Sequence, residues 1–171
     1  QRLSQVLTPL DQLTQIKRLR IHSRLPVVIP ERIDQGFLDT VSNLQNPLVL
    51  VTHVNHPQEL DHRFDHAMKT LQQNGIHLLN QTVLLKGVND DNHTLVALSE
   101  RLFAAGVLPY YLHLLDRVQG ASHFLVTGER AVNIYQHLLK ELPGFLVPKL
   151  VREISGMPSK TPVHYQAKKL L

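Results

Sequence analysis

The sequence predicts an α/β fold built on a parallel sheet, and three observations carry that prediction. Helix-period and strand-like segments alternate along the 171 residues, and the connections between them are short. Residues 47–54 form a nearly unbroken apolar run, the signature of a strand buried on both faces of a parallel sheet. The βα units are too few for an eight-stranded barrel, which needs roughly 200 residues or more. The residues alone leave two choices, an open doubly wound sheet or part of a (β/α) barrel.

Each element has its own signal. Residues 3–13 read as a helix that Pro9 would break or restart. Residues 16–23 read as a strand, with Leu19 and Ile21 opposed to Arg18, Arg20 and His22. The prolines at 26 and 30 predict a strand end and loop over residues 24–30. Residues 31–44 fit a helix with Ile33, Phe37, Leu38 and Val41 on one face. After the strand at 47–54, a helix over 58–74 closes at Asn74-Gly75. A strand over 76–85 and a helix over 90–105, closed by Gly106, come next. Then follow a Tyr- and Leu-rich strand at 107–115, a helix at 128–142 closed by Pro143-Gly144, and a strand-like run at 145–151. A polar loop is expected over 155–162, and the tail after Pro162 is expected to be mobile.

Composition narrows the function. The net charge of +4 is spread along the chain, with Lys168 and Lys169 its one tight basic cluster, so no nucleic-acid footprint is read. No apolar run approaches the ~20 residues of a membrane span, and no membrane partner is expected. The chain has no cysteine, which excludes internal disulfides, thiolate metal sites and a cysteine nucleophile. Gln1-Arg2-Leu3-Ser4 has neither an initiator Met nor a signal-peptide pattern, and the expectation is a fragment.

Functional residues of parallel α/β folds gather at the C-terminal ends of strands. That rule selects His22-Ser23-Arg24, His53-Val54-Asn55-His56, Asn80-Gln81 with the following loop, His113 to Asp116, and Arg152-Glu153 with Lys160. His53, His56, His113 and Asp116 could form a zinc-type ligand set and support a metal-dependent hydrolase. The competing reading is histidines that cap or hydrogen-bond in loops. His62 and His66 sit four apart on a helix without the glutamate of the protease motif, and read as a solvated face. Asp116 ends an apolar run; it either faces a cavity and meets a cation there, or caps a helix or pairs with Arg117. The small residues and prolines before Lys160 suit a phosphate cradle with a Schiff-base lysine, against an ordinary exposed lysine in a turn.

Five stretches in order resemble one family. They are Ser23-Arg24-Leu25-Pro26-Val27-Val28-Ile29-Pro30-Glu31-Arg32-Ile33, His53-Val54-Asn55-His56-Pro57, Leu78 to Asp90, Pro109 to Asp116, and Gly120-Ala121-Ser122-His123-Phe124. Together they resemble the C-terminal half of the lysine 2,3-aminomutases, radical S-adenosylmethionine enzymes. Lys149-Leu150-Val151-Arg152-Glu153-Ile154 and the segment Gly156 to Pro162 are most similar to the branch that supplies β-lysine for elongation factor P. Where the wider family has Asp, a proline and four glycines before its cofactor lysine, this chain has Glu153 and lacks most of the glycines.

The resemblance implies an incomplete six-unit TIM-like (β/α) barrel of which this chain is the C-terminal portion. Residues 1–144 would be the second half of the radical barrel, and residues 145–171 a segment carrying the cofactor lysine. It implies that Lys160 holds pyridoxal phosphate and that Asp116 and Glu153 bind the distal ammonium of substrate lysine. His53, Gln81 and Arg24 match positions near adenosylmethionine and the cofactor. The implied reaction moves the amino group of lysine from carbon 2 to carbon 3, with (R)-β-lysine as product. The [4Fe–4S] cluster ligands would lie outside this chain, which alone should be inactive. Further expectations are a cytoplasmic enzyme, a functional link to elongation factor P and its lysyl-transferring enzyme, and a homo-oligomer formed through the cut edge of the sheet.

Overall fold

A computed structural model describes residues 2–116 and 119–163. Arg117, the Lys168 and Lys169 cluster and the tail beyond Val163 lie outside the described residues. The chain runs α1 (Arg2–Asp11), β1 (Leu19–Ser23), α2 (Leu25–Val28), α3 (Gln35–Ser42), β2 (Leu48–His53), α4 (His62–Gln73), β3 (His77–Leu84), α5 (Asn92–Ala104), β4 (Leu108–Leu114), α6 (Gly128–Glu141), β5 (Lys149–Arg152) and β6 (Thr161–Pro162).

Capping side chains set most helix starts. Asp34, Asp61, Asp91 and Thr127 precede α3, α4, α5 and α6, and each accepts a hydrogen bond from the backbone N–H groups of the first turn. This splits the helix expected over 31–44: Pro30–Arg32 form a separate 3-10 turn, and α3 starts only after Asp34. Pro57–Glu59 separate from α4 in the same way. The loop expected over 24–30 contains the single helical turn α2, because Pro26 sits in its first turn, where no intrahelical N–H is needed. Helix α1 continues through Pro9. Its last residue, Asp11, is buried and accepts the backbone N–H groups of Gln45 (2.7 Å) and Asn46 (2.9 Å), tying the helix to the entry of β2.

The six strands form one sheet in the order β1-β2-β3-β4-β5-β6; the first five are parallel and β6 runs antiparallel to β5. A doubly wound sheet reverses its strand order at a switch point. This order never reverses, so that choice is excluded. The residues expected as a last strand begin instead with a 3-10 turn, Gly144–Leu146, and β5 follows it. Strand β6 falls at the end of the segment expected to be loop.

The two faces of the sheet differ. Leu19, Leu48, Leu50, Leu78, Leu112 and Leu150 share one core with Phe64, Met68 and Leu71 of α4, Leu98 and Leu102 of α5, and Ile134 and Leu138 of α6. Val51 and Val151 are as deeply buried yet fall outside that core, on the opposite face. At roughly 25 cal/mol per Å² of apolar surface, the helix-covered face supplies most of the stabilisation. The other face is left to carry chemistry.

Candidate functional site

Register places the second face in rows. His22 lies level with Val51, Leu79 and Leu108. The next row holds His53, Gln81, Tyr111 and Lys149, and the one beyond it Val83, His113, Val151 and Pro162. Alternation along each strand therefore turns His22, His53, Gln81, Tyr111 and His113 to the same side.

Their contacts follow. The Gln81 amide stands 3.4 Å from Nδ1 of His53, and the rings of His22 and His53 meet edge-on at 5.9 Å. Tyr111 meets His113 edge-on at 5.5 Å, and its hydroxyl accepts from Tyr110 (3.1 Å). Lys160 places its ammonium 5.6 Å from the Tyr111 ring centroid and donates to Glu153. Nε2 of His53 and Nε2 of His113 are buried without a hydrogen-bond partner among the described residues. Buried polar atoms in native proteins are paired as a rule, so these two nitrogens are candidate contacts for a ligand on this face.

The electrostatics favour neutral imidazoles. Burial lowers the pKa of His22, His53 and His113. Arg20, His53 and Lys160 add to this at His22, Arg24 does so at His53, and Lys160 and His53 do so at His113, where Glu153 and Asp116 oppose it. The hydrogen bond from Lys160 and its charge hold Glu153 below the usual carboxylate range.

A buried polar lattice fixes the ends of β2 and β3. Asn80 accepts from Thr52 Oγ1 and the Val54 N–H (both 2.9 Å) and donates to the Val54 carbonyl (3.1 Å) and Thr82 Oγ1 (2.9 Å). Asn89 accepts from the Leu85 N–H (2.7 Å) and donates to the Asn55 and Val83 carbonyls (2.8 and 2.9 Å). The Asn55 side chain accepts from the Val83 N–H (2.9 Å). His53 and Gln81 sit on these anchored strand ends.

Asp116, Thr127, Gly128, Arg152 and Glu153 line a cavity of about 580 Å³ between the ends of β4 and β5 and the start of α6. The structure thus brings Lys160 beside Glu153, and His53 beside Gln81. Arg24 pairs with Glu59 at 2.6 Å, and its charge also acts on His53. His56 Nδ1 accepts from the Gln58 N–H (3.2 Å) and caps the turn after β2, as the loop-capping reading expects. His62 and His66 are exposed on α4. No group of three or more His, Cys, Asp or Glu placed to hold a metal occurs among the described residues, so the metal-hydrolase alternative gains no support. The Arg117 pairing considered for Asp116 lies outside the described residues. His22 was selected from the sequence only as part of a strand end, and Tyr111 was not selected. Their signal was present in period-2 alternation, which sets both opposite the leucines of their strands.

Fold and site together define a parallel α/β chain that gathers a lysine amine, carboxylates and neutral imidazoles at the carboxyl ends of its strands. Sequence comparison identifies the chain as a homologue of the L-lysine 2,3-aminomutases, in agreement with the resemblance read from its motifs. It is 53% identical over 159 residues to the L-lysine 2,3-aminomutase of Haemophilus influenzae, covering 93% of this chain and 47% of that protein. Against the Escherichia coli L-lysine 2,3-aminomutase the identity is 52% over 164 residues, 96% of this chain and 48% of the relative. The L-lysine 2,3-aminomutase of Clostridium subterminale is 34% identical over 161 residues, with 94% and 38% covered. The chain spans about half the length of the first two relatives. No family model matches it.

Proposed function

We propose that this chain is the C-terminal half of a radical S-adenosylmethionine lysine 2,3-aminomutase. The substrate would be L-lysine and the product (R)-β-lysine, destined for elongation factor P through its lysyl-transferring enzyme in the cytoplasm. The observation that carries the reading is the pairing of Lys160 with Glu153 beside the cavity that Asp116 lines, in a chain homologous to lysine aminomutases. The unreversed strand order and the second, uncovered face support a partial (β/α) barrel, with that face as its interior. Strand β1 has no partner on its outer edge among the described residues, which supports pairing with another segment or another copy.

The residues present fit pyridoxal phosphate and adenosylmethionine. Lys160 offers a primary amine to the cofactor aldehyde, and the orphan nitrogens of His53 and His113 offer hydrogen bonds on the same face. A [4Fe–4S] cluster does not fit this chain, which has no thiolate to ligate it. When bound, pyridoxal phosphate supplies an electron-withdrawing ring and adenosylmethionine a source of a carbon radical. The chain's own residues bind and shield. Asp116 and Glu153 would receive the substrate's distal ammonium through charge-assisted hydrogen bonds. His53 and Gln81 would orient the cofactors, with Arg24 holding Glu59 and thereby the loop after β2. Neutral imidazoles place no cation opposite the substrate ammonium, and the buried Val51 and Val151 keep water from the floor of the site.

Incubating the chain with pyridoxal phosphate, reducing with borohydride and mapping the peptides tests this. An adduct on Lys160, lost in Lys160→Ala, is expected. Labelling spread over surface lysines and unchanged in that variant would sink the proposal.

A further inference from the structure

Strands β5 and β6 pair antiparallel, with Val151 opposite Pro162 and Arg152 opposite Thr161. The ladder ends there, and one step beyond it Lys160 donates to Glu153. The turn between them carries Gly156 at φ +82°, which favours glycine, and a bond from the Met157 N–H to the Ile154 carbonyl (3.1 Å). Residues opposite each other across such a pair share one face, with Cβ atoms about 5 Å apart. Val151 lies in the row of His113 on the uncovered face, so alternation returns Glu153, two residues on, to that face. The position of Lys160 over Tyr111 agrees. The Lys160–Glu153 contact is therefore set by backbone register rather than by one rotamer choice. The seven-residue spacing of the two groups is what this hairpin requires.

Glu153 also lines the cavity with Asp116. The side chain of Lys160 ends in the same group as the side chain of free lysine, a primary ammonium on an unbranched alkyl stem. A carboxylate that accepts one accepts the other, and two ammonium groups crowded on one carboxylate repel. Resting on the function proposed above, we propose that Glu153 is a shared acceptor. It holds the Lys160 ammonium while the cofactor is absent, and it turns to the substrate's distal ammonium once Lys160 gives its proton to solvent and its amine condenses with the cofactor aldehyde, the carbonyl oxygen leaving as water. Cofactor loading thus completes the substrate's ammonium site, and Lys160 acts as an internal competitor that weakens lysine binding to the unloaded site. Lys160 lowers the pKa of Glu153 while the two are paired, and a glutamate is ionised near neutral pH without that help. The pair is partly solvated, at 29% and 54% side-chain exposure, so the competition is modest and exchangeable.

The test is a binding cycle read by calorimetry with L-lysine on the chain, without cofactor. Lys160→Met should raise lysine affinity roughly fivefold, the upper range for a partly exposed ion pair. The gain should disappear in the Glu153→Gln background and persist in Asp116→Asn. Loading wild type with pyridoxal phosphate should produce a gain of the same size for 6-aminohexanoate, which carries the distal ammonium but no α-amine to displace Lys160 from the cofactor. Equal lysine binding by wild type and Lys160→Met, a gain that survives Glu153→Gln, or no lysine binding by any form would overturn the proposal. The peptide map separates the two ideas. A Lys160 adduct without the affinity gain rejects the shared acceptor alone, whereas the gain without an adduct rejects the cofactor reading and leaves the competition standing.

Discussion

Two ends of the same sheet edge hold their polar groups in opposite ways. Where β2 and β3 finish, Thr52, Asn80 and Asn89 are almost inaccessible, and each bonds to backbone or to a neighbour in the lattice. Where β5 and β6 meet, two short strands present Glu153 and Lys160 to one another in partial solvent. The first arrangement fixes geometry, because a buried amide with all its partners in place has one orientation. The second allows exchange, because a solvated ion pair can be given up for a chemically equal one. An enzyme that must hold reactive groups still and also admit a charged substrate needs both kinds of end.

Breaking the rigid end should have the largest effect. Asn80→Leu leaves the Val54 N–H and the hydroxyls of Thr52 and Thr82 without their buried partner. We expect a loss of about 3 kcal/mol or more in urea unfolding. A change below about 1 kcal/mol would mean that the lattice is not what holds this end. Asn89→Ala comes next, at about 2 kcal/mol, because it frees the Leu85 N–H and the Asn55 and Val83 carbonyls in a region nearer solvent. Amide exchange at Val83 and Leu85 should rise with it, and unchanged protection there would count against the assignment.

These anchors were the least legible part of the sequence. Strand β3 alternates Leu78, Asn80, Thr82 and Leu84 with Leu79, Gln81 and Val83, so period 2 alone could not say which set was buried. The buried set is the one holding an asparagine and a threonine, against the usual preference, because their partners come from the chain after β2. Alternation of helix and strand was legible, since it depends on local periodicity and capping. The helix expected over 31–44 was misjudged at its start, because Asp34 offers a better cap than Glu31 and the prolines consume the first turn. Strand β6 was unreadable locally, for two residues gain strand geometry only from pairing with β5. Lys160 and Glu153 were selected by the strand-end rule and given their roles by motif resemblance; their cross-strand relation needed the register.

A smaller effect separates the two ends by pH. His53 and His113 have lowered pKa values, so the folded chain binds fewer protons than the unfolded chain as the solution acidifies. Their contribution is fully present above the ordinary histidine value of about 6.5 and is lost as pH falls through their folded values. Stability should therefore decline below pH about 6.5. His113→Gln should flatten that decline although Lys160, Glu153, Asp116 and His53 still surround the position. An equally steep decline in the variant would assign the effect to the other groups.

The smallest expected effect lies at the exchangeable end. Glu153→Gln removes a charge from a half-exposed pair but leaves the β5–β6 ladder intact, since the bonds between Val151 or Arg152 and their partners are made by backbone. Its change in unfolding free energy should stay within about 0.5 kcal/mol, as for most exposed ion pairs. Raising the salt concentration should shrink even that difference, because solvated charges are screened within about 10 Å at 0.1 M ionic strength. A loss near that of Asn80→Leu would show that the hairpin depends on the ion pair for its fold. Glu153 could then not be given up to a substrate without unfolding the strand that carries Lys160, and the contrast between a fixed end and an exchangeable one would fail.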